Sequence, residues 1–321
     1  MKNLKFLAVA CALVCAPALA QEQALEIEVD GPAGTLRGTL AGYAENEARP
    51  AILIVPGSGP TDRDGNNPLG VEASSYRLLA EGLSEAGITT VRIDKRGMFG
   101  SAIAGLDPNA ITIEDYGEDT NAWVRQIIDQ TGVDCVWILG HSEGGLVALV
   151  AGQDGPDICG MILLAAPGRS MGDTIRAQLQ ANPANAPLID DALSAIDLLE
   201  RGESVDPSGM HPALQQLFDP AVQGFLINVM SFDPADLIAG YDGPVLVLQG
   251  DADIQIPVAD AERLAGGREG VTLTILPNIN HVLKSVTADD QAGNLAAYSD
   301  PTLPLAPGIV EAIVDFIAEH N

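Results

Sequence analysis

The sequence predicts an α/β fold in which helices flank a mostly parallel central sheet. Short apolar runs alternate with segments of helical spacing along most of the 321 residues. Because the runs are apolar at successive positions, both faces of each strand should be buried, as in a parallel sheet covered by helices. Hydrophobic residues make up 47% of the chain and charged residues 19%, a composition that excludes a disordered protein and can form a full core.

The first twenty residues are predicted to be a signal peptide, outside the fold. Lys2 and Lys5 give a positive start, an apolar run follows, and residues 18–20 form a small-x-small cleavage pattern. The run is too short for a transmembrane anchor, and the cysteines inside it fit a lipoprotein signal poorly. We therefore expect the mature protein to begin at Gln21 and to be exported, to the periplasm or out of the cell.

The charge of the mature protein excludes two classes of partner. Cleavage after residue 20 removes two lysines and leaves 14 basic against 44 acidic residues, a formal net charge of −30. Such a surface repels nucleic acids and anionic membranes, so neither is expected as a partner. The acidic residues are dispersed, which favours a role in solubility and says nothing about catalysis. The oligomeric state stays open.

The mature chain divides into a core and one helical insert. Strands are predicted at 25–29, 35–41, 51–55, 88–93, 136–139, 161–165, 245–248 and 271–276. Core helices are predicted at 75–86, 113–131, 146–151, 258–264 and 309–318. After Gly168 the strand patterns stop, and prolines separate short helical segments at 174–180, 189–200, 213–218 and 222–230. We expect residues 21–167 and 236–321 to form the core, and residues 168–235 to form an insert over the sheet.

The strongest functional signal is Gly140-His141-Ser142-Glu143-Gly144, between an apolar strand and an apolar helix. A nucleophilic serine must sit on a sharp strand-to-helix turn, and small residues two positions before and after it prevent clashes with neighbouring strands. Ser142 is therefore the predicted nucleophile.

A serine hydroxyl needs a base, and the chain offers four histidines. His141 is expected to point away from its neighbour at the turn, His211 to lie on the surface of the insert, and His320 to end the last helix. His281 follows the last strand, at the sheet edge where catalytic residues collect. It is the predicted base.

The base needs an acid, and two aspartates follow the strand before it. Asp251 and Asp253 both stand directly after residues 245–250, and the chain order serine, aspartate, histidine suits either. The pattern alone does not separate them, although one is expected to be a turn residue.

A tetrahedral intermediate needs backbone N–H donors. One is expected from Glu143, directly after the nucleophile, and the other from Ser58 in the glycine-rich loop 56–59. The Glu143 side chain itself is expected to be solvated or to face the insert. Neither a metal nor a cofactor is predicted. Residues 62–66 resemble a calcium loop only weakly, and a hydrogen-bonded turn accounts for them better.

The chain resembles the α/β-hydrolase superfamily, and more narrowly its secreted serine aminopeptidase-like or lysophospholipase-like branch, often described as esterases. The matching stretches are 56–65, 94–101, 140–145, 250–257 and 280–284. The resemblance implies that Asp253 is the acid and that the insert caps the active site. Pro56 departs from it, because many relatives have histidine there, but the donor is a backbone N–H and should persist.

The two mature cysteines, Cys135 and Cys159, are either a disulfide or two buried thiols on composition alone. The strand order of the resembled fold places them at neighbouring strand starts, opposite the active site. It therefore implies a structural disulfide between them.

The function implied is hydrolysis of a small or medium acyl ester through an acyl-enzyme. Peptide, amide, lactone or thioester hydrolysis would use the same residues, and nothing in the sequence identifies a pocket for an N-terminal amine. A non-catalytic binding protein on this scaffold is the alternative from another class.

Overall fold

A computed structural model describes residues 24–45, 47–155, 157–287 and 289–320. The predicted signal peptide and the predicted mature N-terminus, Gln21, lie outside these residues. Among the helices that the structure describes, none combines the length and the apolar character needed to cross a membrane.

The described residues contain one eight-stranded sheet. Its strands are β1 (Leu25–Gly31), β2 (Gly34–Ala41), β3 (Ala51–Val55), β4 (Thr89–Ile93), β5 (Val136–His141), β6 (Ile158–Leu164), β7 (Val245–Gly250) and β8 (Thr272–Leu276). They lie in the order β1-β2-β4-β3-β5-β6-β7-β8. The pairs β1–β2 and β2–β4 are antiparallel and all others are parallel. The predicted, mostly parallel sheet is confirmed.

Burial explains why the central strands could be predicted. Every residue of β3, β5 and β7 is buried, because helices cover both faces of the sheet. The expectation that both faces of each strand are buried is wrong for β1 and β8, which lie at the two edges of the sheet and contain no buried residue. Two strands run further than their apolar patterns, since β5 continues through Gly140 and His141, and β7 through Gln249 and Gly250. Their carboxyl ends therefore reach into the segments that carry the predicted catalytic residues.

Eleven α-helices occur in the described residues. They are α1 (Ser75–Glu85), α2 (Ile113–Thr131), α3 (Glu143–Asp154), α4 (Met171–Ala181), α5 (Ile189–Glu200), α6 (Pro212–Leu217), α7 (Gln223–Met230), α8 (Pro234–Ala239), α9 (Val258–Gly266), α10 (Gln291–Ala296) and α11 (Ile309–His320). The longest, α2, begins at a capping box of Thr112 and Asp115 and ends at Gly132, whose φ is 75°. Both of its ends match the prediction.

The helices α4 to α8 lie between β6 and β7, and the predicted end of the insert at residue 235 falls inside α8. Prolines that separate the helical segments in the sequence also start some of these helices. Pro212 and Pro234 stand at the first position of α6 and α8, after the capping side chains of His211 and Asp233. Side chains of the insert, Ile196 among them, share one hydrophobic cluster with the face of the sheet that α2 and α3 cover. The insert thus packs on the core.

A second cluster fills the other face of the sheet, under α1 and α11. At the amino ends of β5 and β6, Cys135 and Cys159 form a disulfide with their Cα atoms 5.2 Å apart. This bond joins two neighbouring parallel strands at their amino ends, whereas Ser142 follows the carboxyl end of β5.

Candidate active site

Ser142 occupies the turn between β5 and α3 with φ 54° and ψ −125°. A positive φ is uncommon for residues other than glycine and indicates local strain. The backbone holds the residue on both sides. Its N–H donates to the Leu164 carbonyl at 3.0 Å, and its carbonyl accepts from the Gly145 N–H at 2.9 Å. The structure thus has a strained strand-to-helix turn at the predicted serine.

The glycines beside Ser142 are required by space. A Cβ on Gly140 would overlap the carbonyl of Gly144, and a Cβ on Gly144 would overlap the carbonyl of Val55 in β3. Even alanine at either position would push the turn away from the sheet, so the small residues at these places have a steric cause.

His281 and Asp253 are brought together from two different loops. The His281 Nδ1 lies 2.8 Å from the Asp253 Oδ2, and both side chains are almost completely buried. Because a carboxylate accepts, Nδ1 carries the proton and donates it, which leaves Nε2 free to take a proton from a hydroxyl. Asp253 rather than Asp251 is therefore the aspartate that contacts the histidine.

The Asp253 carboxylate is held in one orientation. Its Oδ1 accepts the backbone N–H groups of Gln255 at 2.7 Å and Ile256 at 2.9 Å, and Oδ2 also receives the Gln249 side-chain amide at 3.2 Å. Burial by itself would raise the pKa of Asp253, but the attraction of His281 and these hydrogen bonds outweigh it and lower the pKa. The acid therefore stays ionised beside the imidazole.

The turn that carries His281 is braced by amide side chains. The Asn280 Oδ1 accepts the Lys284 N–H at 2.9 Å, and its Nδ2 lies 3.2 Å from the Asn294 Oδ1. Asn294 in turn donates to the carbonyl of Ala252 at 2.7 Å, directly before Asp253. The loops of the base and the acid are therefore linked through α10.

The two backbone N–H groups that were predicted to bind an oxyanion have no competing acceptor in the described part of the protein. Those of Ser58 and Glu143 donate to no protein acceptor among the described residues, and Glu143 is the first residue of α3, whose N–H has no partner inside the helix. The N–H of Gly57 is occupied, because it donates to the Tyr76 hydroxyl at 3.0 Å. A Cβ on Gly57 would lie 3.1 Å from the Ser142 Cβ, so this loop passes close to the serine.

His141 is buried beneath the site and links the turn of Ser142 to His281 and to Tyr76. Its Nε2 lies 2.9 Å from the carbonyl oxygen of His281, and its Nδ1 lies 2.8 Å from the Tyr76 hydroxyl. Burial first, and the nearby charge of His281 second, lower the pKa of His141 to about 3. A neutral imidazole with both nitrogens hydrogen-bonded is a structural group here, so His281 remains the predicted base.

The Glu143 side chain departs from the expectation. It is only 3% exposed, and its Oε1 lies 3.3 Å from the Lys95 ammonium, which is itself 3% exposed. The prediction of a solvated side chain is wrong, because local sequence does not show that a cation from the loop after β4 arrives beneath α3.

A pocket of about 500 Å³, counting its open mouth, lies beside Ser142 and His281. Two walls enclose it, one from residues 57–76 and one formed by Gln255, Val282 and Tyr298. In the part of the chain that the structure describes, none of the lining residues belongs to α4–α8. The predicted capping role of the insert therefore stays a prediction.

The remaining candidates have structural roles. Asp251 accepts the Asn278 N–H at 2.6 Å, as a turn residue would. His211 is exposed and caps α6, whereas His320 contacts the Phe316 carbonyl at 2.8 Å. The 62–66 segment is the expected hydrogen-bonded turn, because the Asp62 Oδ1 accepts two backbone N–H groups within it, at 2.9 and 2.8 Å.

Sequence reasoning missed two residues of the site. Tyr76 belongs to the apolar face of a predicted helix, and the pattern gives no sign that its hydroxyl reaches Gly57. Lys95 lies in one of the stretches that carry the family resemblance, 94–101, which was the available signal, but the stretch does not show that Lys95 contacts Glu143.

The chain is similar to known proteins over most of its length. Residues 52–297 match the sequence profile of the Alpha/beta hydrolase family. Esterase EstD from Thermotoga maritima is 28% identical over 246 residues, which are 74% of this chain and 55% of EstD. The chain thus spans about half the length of that relative.

Solved structures agree on the fold. The alpha/beta hydrolase GrgF from Penicillium sp. sh18 superposes with a TM-score of 0.59 at 20% identity, covering 93% of this chain and 99% of GrgF. Est1E from Butyrivibrio proteoclasticus superposes with a TM-score of 0.56 at 17% identity, covering 92% of this chain and 98% of Est1E. The narrower aminopeptidase-like or lysophospholipase-like branch stays a prediction. Because the profile covers well over half of its residues, the chain belongs to the alpha/beta hydrolase family.

Proposed function

We propose that the protein is a serine hydrolase that cleaves carboxylic esters of small or medium acyl groups through an acyl-enzyme. The observation that carries the proposal is the 2.8 Å hydrogen bond between Asp253 and His281, beside a pocket that His281 and Ser142 both line. The similarity to EstD, which is named an esterase, supports esters as the substrate class.

In the proposed mechanism, the Ser142 Oγ attacks the ester carbonyl carbon and its proton passes to the His281 Nε2. The negative oxygen of the tetrahedral intermediate accepts the N–H groups of Ser58 and Glu143. The imidazolium, stabilised by Asp253, then protonates the leaving alkoxide, and the alcohol departs.

In the second half of the proposed cycle, water attacks the acyl-enzyme. His281 takes a proton from that water and returns one to the Ser142 oxygen as the carboxylic acid leaves. No group besides these residues and water is needed for atoms and charges to balance.

Turnover of p-nitrophenyl esters of increasing chain length, beside aminoacyl anilides, tests the proposal. We expect hydrolysis of the shorter esters and covalent labelling of Ser142 by a fluorophosphonate, with both lost in Ser142→Ala. Folded protein that gives no adduct at Ser142 would favour a non-catalytic binding protein. Faster cleavage of anilides than of esters would favour a peptidase or amidase.

The chain supplies a matched pair for the acid. Asp253→Asn should lower kcat on the order of 10³–10⁴-fold, because an amide no longer fixes the His281 tautomer. Asp251→Asn makes the same chemical change two residues away. Asp251 accepts the Asn278 N–H and does not contact His281, so the kcat of this variant should stay within about threefold of wild type. Equal losses in the two variants would refute the assignment.

We also propose that the protein is exported and that residues 168–235 cap the site. The predicted leader and the Cys135–Cys159 bond, a feature of oxidising compartments, support export. The Gln178 side chain of α4 donates to the carbonyl of Gln255 in the pocket wall at 3.2 Å, which supports a cap. Mass spectrometry of the cell-derived protein should give a mature N-terminus at Gln21.

A further inference from the structure

Lys95 is a buried cation that the proposed mechanism does not use. Its ammonium donates to the carbonyl oxygen of Gly57 at 2.7 Å and lies 3.3 Å from the Glu143 Oε1. It also lies 5.3 Å from the centre of the Tyr116 ring, over its face. One ammonium group thus contacts both Gly57 and Glu143, and its shorter contact is to the backbone.

The carbonyl that Lys95 contacts belongs to the same peptide group as the N–H of Ser58. In a trans peptide the C=O and N–H bonds point to opposite sides of one rigid plane. With the Gly57 oxygen directed at Lys95, the Ser58 N–H is directed away from it, and Ser58 lines the pocket with Ser142. The buried Lys95 ammonium therefore fixes the orientation of the Ser58 N–H through the Gly57 carbonyl, on the side of the peptide away from the pocket.

Tyr76 fixes the same residue from its other side. The Gly57 N–H donates to the Tyr76 hydroxyl at 3.0 Å, so both polar groups of Gly57 are engaged. The plane of the next peptide has little freedom to rotate, which is what an oxyanion donor needs if it is to be in place before the charge develops.

We propose that Lys95 is a positioning residue that orients and polarises the 57–58 peptide, and so strengthens the Ser58 N–H as an oxyanion donor. A cation on a carbonyl oxygen draws electron density through the amide and makes its N–H a stronger donor, as in cooperative hydrogen-bond chains. The contact is also a charge-assisted hydrogen bond, the stronger kind. This inference rests on the proposed function.

A role on the oxyanion predicts a specific kinetic pattern. Lys95→Met keeps an unbranched apolar side chain but removes the charge and the donor. Its kcat for p-nitrophenyl acetate should fall about 10- to 100-fold while KM changes less than about threefold. The inhibition constant of a trifluoromethyl ketone, whose adduct with serine carries an oxyanion, should rise by the same factor as kcat falls.

A second variant separates the charge from the hydrogen bond. Lys95→Gln can still donate to Gly57 but carries no charge, so its kcat should lie between those of wild type and Lys95→Met. If Lys95→Met does not fold, judged by circular dichroism and its melting temperature, Lys95→Gln carries the same test. Arg125→Met loses one positive charge from an exposed position on α2 and should keep wild-type kinetics.

Three results would overturn the inference while the proposed function stands. They are an unchanged kcat in folded Lys95→Met, a loss confined to KM, and a loss of kcat with no change in ketone inhibition. Wild-type protein without Ser142-dependent turnover would instead remove the proposed function, and the inference with it.

Discussion

Around Ser142, the partners of each polar atom determine which atoms carry protons. The carbonyl of His281 can only accept, so the His141 Nε2 must be protonated and its Nδ1 must be the acceptor. Tyr76 then donates its hydroxyl proton to Nδ1 and accepts the Gly57 N–H on its oxygen. Burial raises the pKa of Tyr76, so the phenol stays neutral. The chain of bonds has one arrangement of protons.

Removing the Tyr76 hydroxyl breaks this chain at two points. Tyr76→Phe leaves the Gly57 N–H and the His141 Nδ1 buried without partners, so the free energy of unfolding should fall by about 1–3 kcal/mol. The kcat should fall as well, because Gly57 is released on one side. Urea unfolding and ester turnover measure the two effects.

The control for that variant is Tyr241→Phe. The Tyr241 hydroxyl is buried and has no hydrogen-bond partner among the described residues. Its removal should leave the free energy of unfolding unchanged or raise it, since an unpaired polar group disappears. An equal loss of stability in both variants would contradict the importance of the Tyr76 hydrogen bonds.

The buried neutral His141 makes stability depend on acidity. Its pKa is about 3 in the folded protein against 6.5 for a free histidine. Between these values the unfolded chain holds a proton that the folded chain does not, so stability rises with pH and falls as the pH drops from 6.5 towards 3. One such group contributes a slope of about 1.4 kcal/mol per pH unit.

Comparing variants isolates this contribution from the carboxylates. In His141→Gln, the free energy of unfolding should decline less steeply below pH 6.5 than in wild type. The two slopes should differ by up to about 1.4 kcal/mol per pH unit, the contribution of one proton. As the control, His211→Gln removes an exposed histidine of the insert and should keep the wild-type slope. Parallel curves for wild type and His141→Gln would refute the prediction.

Sequence patterns predicted the helices and strands whose side chains are buried, but they did not predict contacts between side chains of different segments. The central strands β3, β5 and β7 were predictable because burial on both faces makes them short apolar runs, whereas β1 and β8 contain no buried residue and were predicted from strand-forming residues and flanking turns. The helices α8 and α10 were missed; each has six residues, but the equally short α6 was predicted, so length alone does not explain the misses. The side chain of Glu143 was placed wrongly because its partner Lys95 comes from another loop.

The disulfide joins two elements far from the chemistry, so it should affect stability alone. Replacing Cys135 and Cys159 together by alanine should lower the free energy of unfolding by about 2–4 kcal/mol and leave kcat within about twofold of wild type. The bond closes β5 to β6 at their amino ends, while Ser142 follows the carboxyl end of β5.

Thiol titration provides the direct check of that bond. The denatured, unreduced mature protein should show no free thiol, and reduction should release two. Two thiols before reduction would contradict the disulfide, and a large loss of kcat in the double variant would contradict its separation from the active site.

For the whole molecule, the dominant property is negative charge. The formal net charge is −28 for the full chain, and repulsion among so many carboxylates destabilises the compact state. Added salt screens this repulsion between exposed charges. The melting temperature should therefore rise by several degrees between about 20 mM and 500 mM NaCl.

Added salt should also weaken the repulsion between this acidic surface and anionic substrates. The kcat/KM for a negatively charged ester should increase with ionic strength, whereas that for a neutral ester of equal chain length, the control, should hardly change. A falling melting temperature, or equal salt effects on both esters, would show that ion pairs rather than repulsion dominate at this surface.

The contact between the His141 ring and the His281 carbonyl joins residues 140 positions apart in the sequence. Ser142 is therefore synthesised long before His281, the residue proposed to activate it. Under the proposed mechanism, a truncated chain ending before β8 would contain the proposed nucleophile without its proposed base, so we expect its ester turnover to be lost.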